Sequence, residues 1–440
     1  MNDTSKPQAH PRNSLGLFDV TCLIVGVIIG SGIYETPSDI AGFLGSPSLI
    51  LLMWVVGGLL SLVGALCYAE LASTYSQKRG EYFYLRHAYG EWAGFLFAWA
   101  RLAVIHTGNI AIMSHIAATY GTQLFTFPYS QTVYAIGTVF ILTVINALGL
   151  HAGKLTQNTL VTIQFTALLL ISIAALWASP ENAKAAPEAT LDFGAVFLAL
   201  IFVQFTFGGW SDTAFVTVEM RNPQRNILRA MLLGLTLVTA VYLIVNFAML
   251  RTLGAGGMAE SDAVVAEALN IAIGPAAALI ISIAVIVTAL GSVNGMILTG
   301  GRLFATLGRD HGVFGFMKPA HARAEPVRAL IVQGVVAAIL VLSGRFEDLV
   351  IYTAAAHWTF FMMNGIALFI LRYKDPDIER PYRVHGYPFI PLIFIASCAM
   401  LLYSALTYAG LYSGVGFGIV LVGLLIYWFD HKFMKKPTEV

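Results

Sequence analysis

Long apolar runs separated by short polar or charged clusters dominate the chain, and run length carries more information than periodicity. Twelve runs stand near residues 15–40, 47–72, 90–120, 131–150, 155–178, 194–220, 228–250, 265–305, 328–343, 348–371, 388–409 and 411–430. Most are about 20 residues long, the length one α-helix needs to cross ~30 Å of hydrocarbon. The pattern predicts an all-α integral membrane protein of twelve transmembrane helices, with no soluble domain, linker or low-complexity tract left over.

Two runs are interrupted. Gly30-Ser31-Gly32, within GVIIGSGIYETP (26–37), falls about fifteen residues into the first run, and Phe207-Gly208-Gly209-Trp210 falls at the same depth of the sixth. Glycine costs about 1 kcal/mol against alanine inside a helix. Unwound chain at membrane depth stands only beside a cavity or within protein, because an unpartnered peptide group there costs several kcal/mol. Glycines also let membrane helices pack closely, so one cluster alone is a weak signal. Two at matching places of spans one and six imply a five-span unit repeated, and an odd span number inverts the second copy. Paired interruptions of this kind point to a transporter's binding site. Repeat one then covers about 15–178, repeat two about 194–371, and two extra helices about 388–430. Together they make one transporter domain at 15–430 between tails at 1–14 and 431–440.

The breaks suggest a ligand. After the first, the amides of Ser31, Gly32 and Ile33 present a positive dipole end to an anion such as a carboxylate. The half-helices ending at Ile28 and Ile29, and at Phe205 and Thr206, leave carbonyls for an ammonium group. One site offering both suits a zwitterion, and a free α-amino acid is the simplest.

Composition agrees with the runs: of 440 residues 58% are hydrophobic and 11% charged, with a mean hydropathy of +0.76. A net charge of +1 gives no field for nucleic acid. With the N-terminus inside, 21 of the 25 lysines and arginines fall on cytoplasmic segments, Lys184, Arg251 and Arg345 fall outside, and Arg101 lies within the third span. Positive charge marks the cytoplasmic side, so both termini are expected there. The polar first 14 residues lead into an apolar run without a cleavage site, the pattern of a retained span and not a signal peptide. Cys22, Cys67 and Cys398 lie inside apolar runs without metal-ligand spacing, as buried small hydrophobes do.

No nucleophile elbow, P-loop, HExxH or dinucleotide fingerprint stands out. Neither enzymatic activity nor a cofactor is expected, and without a phosphate-binding domain transport must draw on gradients or exchange.

The ordered set GVIIGSGIYETP (26–37), CYAELASTYSQKRGEYFYLRHAYG (67–90), FTFGGWSDTAFVTVEMRNPQRNI (205–227) and GSVNGMILTGGRLFATLGRDHG (291–312), with DPDIERPYRVHGYP (375–388), resembles the amino acid-polyamine-organocation superfamily. It is most similar to bacterial relatives of the L-amino-acid transporter branch. The resemblance implies ten spans in two inverted repeats plus two more, alternating access, a place in the cell (inner) membrane and L-amino acids as substrate. It implies that Ile28, Ser31 and Gly32 meet the substrate backbone with Phe205, Thr206 and Gly208 opposite. Phe205 becomes the aromatic gate, Trp210 and Ser211 belong to the same helix region, and Trp358 in span ten stands near the pocket.

Departures qualify it. Many sodium-independent relatives carry a lysine midway along span five; register from Lys154 puts Gln164 there, with Lys154 at the cytoplasmic end. Thr288 and Ser292 lie where sodium-dependent relatives place hydroxyl ligands, so sodium is an expectation set against the habit of helical Ser and Thr of bonding their own backbone. Animal members join a heavy chain through a cysteine between spans three and four; YGTQLFTFPYSQ has none, so no disulfide-linked partner is expected. Lys78, Arg79 and Gly80 replace the Ser-Gly-Gly common in the second motif.

Charged groups inside spans are functional candidates by default. Glu70 and Glu219, near the cytoplasmic ends of spans two and six, have Arg225 or Arg302 as prospective partners. Arg101, beside Trp99, is expected to meet a carboxylate or carbonyl, and Asp212 to orient span six or approach a substrate group. His106 and His115 are nine apart on span three, and His357 adjoins Trp358; satisfied interior roles outweigh proton transfer for each, with His357 the first to test. Tyr82, Phe83, Tyr84, Tyr373, Tyr382 and Tyr387 read as interfacial belts. The main reading is a secondary carrier of amino acids. The alternatives are an ion channel, an intramembrane enzyme, or a carrier of polyamines or other organic cations on the same fold.

Overall fold

A computed structural model describes residues 14–77, 80–178, 183–184, 193–321, 324–343, 346–409 and 411–434. Residues 1–13 and 435–440 of the expected tails, together with Lys78, Arg79, Arg323 and Arg345, lie outside the described residues. Among the described residues the chain is helical without strands; an isolated bridge joins Leu15 to Met220.

The first run forms α1 (Leu17–Ile28) and α2 (Gly32–Leu44), bent by 49°. The second is α3 (Pro47–Thr74). α4 (Gly80–Tyr89) follows, a helix that the apolar pattern did not predict because Glu81, Arg86 and His87 interrupt its apolar residues. The third run is α5 (Glu91–Ala100), a π-helical turn at Arg101–Ile105, and α6 (His106–Leu124). α7 (Ser130–Ala147) and α8 (Leu150–Trp177) complete the first half.

The sixth run holds α9 (Phe193–Thr206), an irregular turn, and a 3-10 segment at Trp210–Glu219. α10 (Pro223–Glu260) is longer than its apolar run. The run at 265–305 divides into α11 (Val264–Ile273) and α12 (Ala276–Asp310), a departure from the single span expected. Gly274 at φ 71 ends α11 in the left-handed region, and Pro275 starts α12. α13 (Val327–Leu342), α14 (Phe346–Lys374), α15 (Phe389–Ala409) and α16 (Leu411–Phe433) end the fold. Among the described residues eight helical segments are long and apolar enough to cross a membrane, and the bent α1–α2 pair makes up to nine.

The polarity of the molecule is inverted relative to a soluble protein. Phe140, Leu170, Ile244 and Val335 stand exposed, whereas Gln164, Asn246, Asn294 and Gln333 are fully enclosed. An exposed apolar belt this large needs lipid around it, and enclosed polar groups need partners or a cavity.

α10 packs most extensively on α3, and α12 on α6. Between these pairs run the two interrupted elements, the start of α1 against the end of the 3-10 segment and α2 against α9. The amide of Leu15 donates to the carbonyl of Glu219 at 3.0 Å, and the amide of Arg221 to that of Leu15 at 2.9 Å.

Ion pairs hold one end of the bundle. Arg302 donates to Glu219 at 2.7 Å, a pairing the sequence anticipates. Glu70 pairs not with Arg225 or Arg302 but with Arg372, in a two-pronged contact of 2.8 and 2.6 Å that also takes the amide of Val384 at 2.7 Å. The link joins positions 302 residues apart, beyond any local pattern. The aromatic belt needs a parallel correction. Tyr82 and Tyr84 are buried, Tyr82 donating to Asp310 at 2.9 Å, because α4 folds inward, whereas Tyr373 is 89% exposed.

Candidate functional site

Both predicted breaks are present. After Ile28 the helix stops: the amide of Ile29 still reaches Val25 at 2.9 Å, the amide of Gly30 turns back to Ile28 at 2.8 Å, and regular bonding resumes from Gly32. The amide of Tyr34 turns back to the carbonyl of Ser31 at 2.8 Å, which leaves those of Gly32 and Ile33 at the start of α2 without an acceptor in their own helix. In the second element Gly208 turns back to Phe205 at 3.1 Å, and Gly209 sits at φ 105. Only glycine takes that conformation readily, and a Cβ there would stand 2.6 Å from Val27 Cγ1 on the first broken element.

The breaks open onto one cavity of about 130 Å³. Of the residues singled out from sequence it gathers Ile28, Gly32, Phe205, Thr206, Gly208, His357 and Trp358. Phe205 is 49% exposed and lines the cavity, whereas Thr206 is buried and donates to the carbonyl of Phe202 at 2.9 Å. Trp358 and His357 present their rings beside Phe361. Gly32 sits where a Cβ would come within 3.2 Å of the Thr206 side chain, so the two elements touch at that point.

The other candidates stand behind the wall. Ile29 and Ile33 are fully buried, Ser31 occupies the N-cap position of α2 without a side-chain cap, and the Ser211 hydroxyl is enclosed without a partner among the described residues. Near an irregular turn, facing depends on backbone angles that helical spacing does not supply.

Of the coupling candidates Gln164, Thr288, Ser292 and His357, two meet the carbonyl end of α1. Gln164 Nε2 donates to the carbonyl of Ile29 at 2.7 Å. Ser292 donates to the carbonyls of Gly26 at 3.0 Å and Ile29 at 3.3 Å. Thr288 faces the Tyr34 hydroxyl at 3.2 Å instead. Lys154 reaches Ser14 and Asp19 at 3.0 and 3.3 Å. Among the described residues no cluster of three or more His, Cys, Asp or Glu could hold a metal ion.

Sequence reasoning missed Tyr242 on α10. Its hydroxyl lies 3.1 Å from the carbonyl of Thr206 and 3.3 Å from that of Ile28. One phenol therefore serves the carbonyl ends of both interrupted helices, with its ring packed on Trp54 and Phe207. The carbonyls expected to be open for an ammonium group are thus partly engaged by side chains.

A buried ionic group also borders the cavity. Arg101 donates to Glu81 at 2.9 Å and to Asp212 at 2.7 Å, and Phe97 and Phe215 flank its guanidinium. Tyr68 donates to Glu81 at 2.6 Å. Arg101, Asp212 and His106 all line the cavity. The π turn makes this geometry, since the amide of His106 bonds the carbonyl of Arg101 five residues back. Positions five apart diverge on an α-helix and stack on a π turn.

A broken-helix cavity rimmed by polar groups inside a lipid-compatible bundle is the architecture of a carrier, and comparison with known proteins identifies which kind. A sequence profile of the family described as amino acid permease matches residues 15–429. The chain belongs to that family. The permease is 30% identical over 441 residues to the human large neutral amino acids transporter small subunit 2, covering 97% of this chain and 82% of the relative. It is also 30% identical to the mouse b(0,+)-type amino acid transporter 1 over 395 residues, covering 87% and 80%. The rat form of the first relative matches over the same span at the same identity. The permease is a multi-pass membrane transporter and not an enzyme.

Proposed function

We propose that this amino acid transporter moves L-amino acids by alternating access, holding the substrate backbone in the cavity between the two interrupted helices. The juxtaposition of both breaks on one cavity is the observation that carries the reading. First-turn amides of α2 suit the carboxylate, and the carbonyl ends at Ile28 and Thr206 suit the ammonium group through their remaining lone pairs. Ile28, Gly32, Thr206 and Gly208 then meet the backbone, while Phe205 and Trp358 close over it.

A fold of twelve spans, ten of them in two inverted repeats, accounts for the antiparallel meeting of the interrupted elements. On this reading the side bearing Arg302 and Arg372 is cytoplasmic, as the basic residues suggest, with both termini inside and the cell (inner) membrane as the location. Two of the relatives are named as small subunits; for this chain the three cysteines are all buried, which favours a carrier without a disulfide-linked companion. Gln164 and Ser292 act as caps at the first break, and a sodium ion at Thr288 and Ser292 would be met by the lone pairs of the two hydroxyl oxygens.

Counterflow in proteoliposomes tests the reading. Loaded with unlabelled amino acids, vesicles should accumulate labelled substrate saturably, with and without sodium. A steady current without saturation would favour a channel, and selective uptake of polyamines would favour the organic-cation alternative.

A further inference from the structure

The ionic group at the cavity edge is not needed to grip an amino acid backbone, and with both of its carboxyls ionised its charges do not balance. One guanidinium, Arg101, faces two carboxylates, Glu81 and Asp212. All three are enclosed. With both carboxyls ionised and His106 uncharged, the group is one positive charge short of neutral, in surroundings where an uncompensated charge is costly.

The bonding of His106 shows where that charge fits. Its Nε2 lies 2.7 Å from the carbonyl of Met296, which can only accept, so Nε2 carries a hydrogen. In the neutral ring Nδ1 is then a lone pair, and it stands 3.2 Å from Nη1 of Arg101, a donor. The same Nδ1 is 3.6 Å from Oδ2 of Asp212, the oxygen that Arg101 does not hold. A proton on Nδ1 would turn it from acceptor to donor, exchange Arg101 for Asp212 and bring the group to neutrality. The ring is held in this position, since a Cβ on Gly300 would come within 2.6 Å of it.

We propose that Nδ1 of His106 is a proton-binding site facing Asp212, and that the permease takes up its amino acid together with a proton. This rests on reading the cavity as the amino acid site. Asp212 belongs to the interrupted sixth element and His106 to the continuous third, so the proton strengthens a link between a part that must shift and one that need not. The amino acid occupies the same cavity, and two ligands that bias one contact bias each other's binding. Charged or titratable groups reach His106 from three other elements: Arg101 on the π turn, Glu81 on α4 behind it, and His357 on α14, which lines the same cavity. The α12 face offers the Met296 carbonyl and the Phe304 ring, α13 the amide of Gln333, and α7 has no acidic or basic side chain.

Proteoliposomes loaded with a pH-sensitive dye, in sodium-free buffer, are given a labelled mixture of the common L-amino acids. Uptake should acidify the lumen, and the ratio of protons to amino acid moved should fall at least tenfold in His106→Gln and in Asp212→Asn. In a second arm, 15N-histidine NMR of the protein in bilayers should show one ring, absent from His106→Gln, that converts from the Nε2–H tautomer to the doubly protonated form between about pH 5 and 8. That conversion should move to lower pH in Asp212→Asn, which loses the facing charge. Uptake without acidification, an unchanged ratio in either variant, or a His106 ring neutral throughout would overturn the proposal. So would uptake confined to lysine, arginine and ornithine without proton movement, since the substrate would then supply the missing charge. No amino acid uptake at all would overturn the transport reading, and the NMR arm would still decide the proton site.

Discussion

Gly209 is where single-residue chemistry matters most, because its φ of 105 and its approach to Val27 cannot both survive a side chain. Gly209→Ala should cost roughly 1–3 kcal/mol and abolish uptake while the protein still inserts; wild-type uptake by a purified, reconstituted variant would refute the joint described here. Tyr242→Phe keeps the ring against Trp54 but removes the hydroxyl shared by Ile28 and Thr206. A loss of about 1–3 kcal/mol is expected from the freed carbonyls, seen as a lower melting temperature in detergent. Phe205→Ala should slow transport more than it weakens equilibrium binding, since an exposed ring at the cavity mouth acts on closure. Equal effects on both would remove it from the gate. The glycines were legible at this scale because backbone freedom carries a signal of its own, whereas Phe205 as a gate came only from the family resemblance. Tyr242 was not, for a tyrosine in an apolar run looks the same whether its hydroxyl meets water, lipid or a carbonyl.

At the scale of elements, both breaks were legible because glycine pairs weaken a helix whatever surrounds them. The π turn was not: RLAVIHTGN has no composition that calls for five-residue bonding, and so Arg101 and His106 looked unrelated. The division of 265–305 by Gly274 and Pro275 was masked by unbroken hydrophobicity on either side. The connection after α14 shows an element held by pairing. Burial works against the charge of Asp375, but hydrogen bonds from Tyr75 at 2.5 Å and His87 at 2.8 Å, with Arg380 nearby, hold its carboxyl below the usual carboxylate range. A depressed carboxyl stabilises the fold fully above the ordinary carboxylate pKa and loses that contribution as pH falls through its lowered value. The melting-temperature gap between wild type and Asp375→Asn should therefore be widest near neutrality and close at strongly acidic pH. A gap independent of pH would show that the carboxylate does not anchor this segment.

For the whole molecule, long apolar runs were enough to place the chain in a bilayer, with glycine pairs marking two breaks and lysine and arginine counts suggesting a side, whereas the permease family came from the resemblance of the ordered motifs. Those properties are local or additive: hydrophobic length, helix-breaking cost and charge counting need no knowledge of neighbours. Only the tertiary structure decided that Gln164 and Ser292 cap Ile29, that Glu70 meets Arg372, and that Arg101 bridges two carboxylates beside a histidine. Each of these joins side chains from elements far apart in sequence, and polar groups inside a membrane protein take whichever partner the packing brings within reach, which no run of residues can specify by itself.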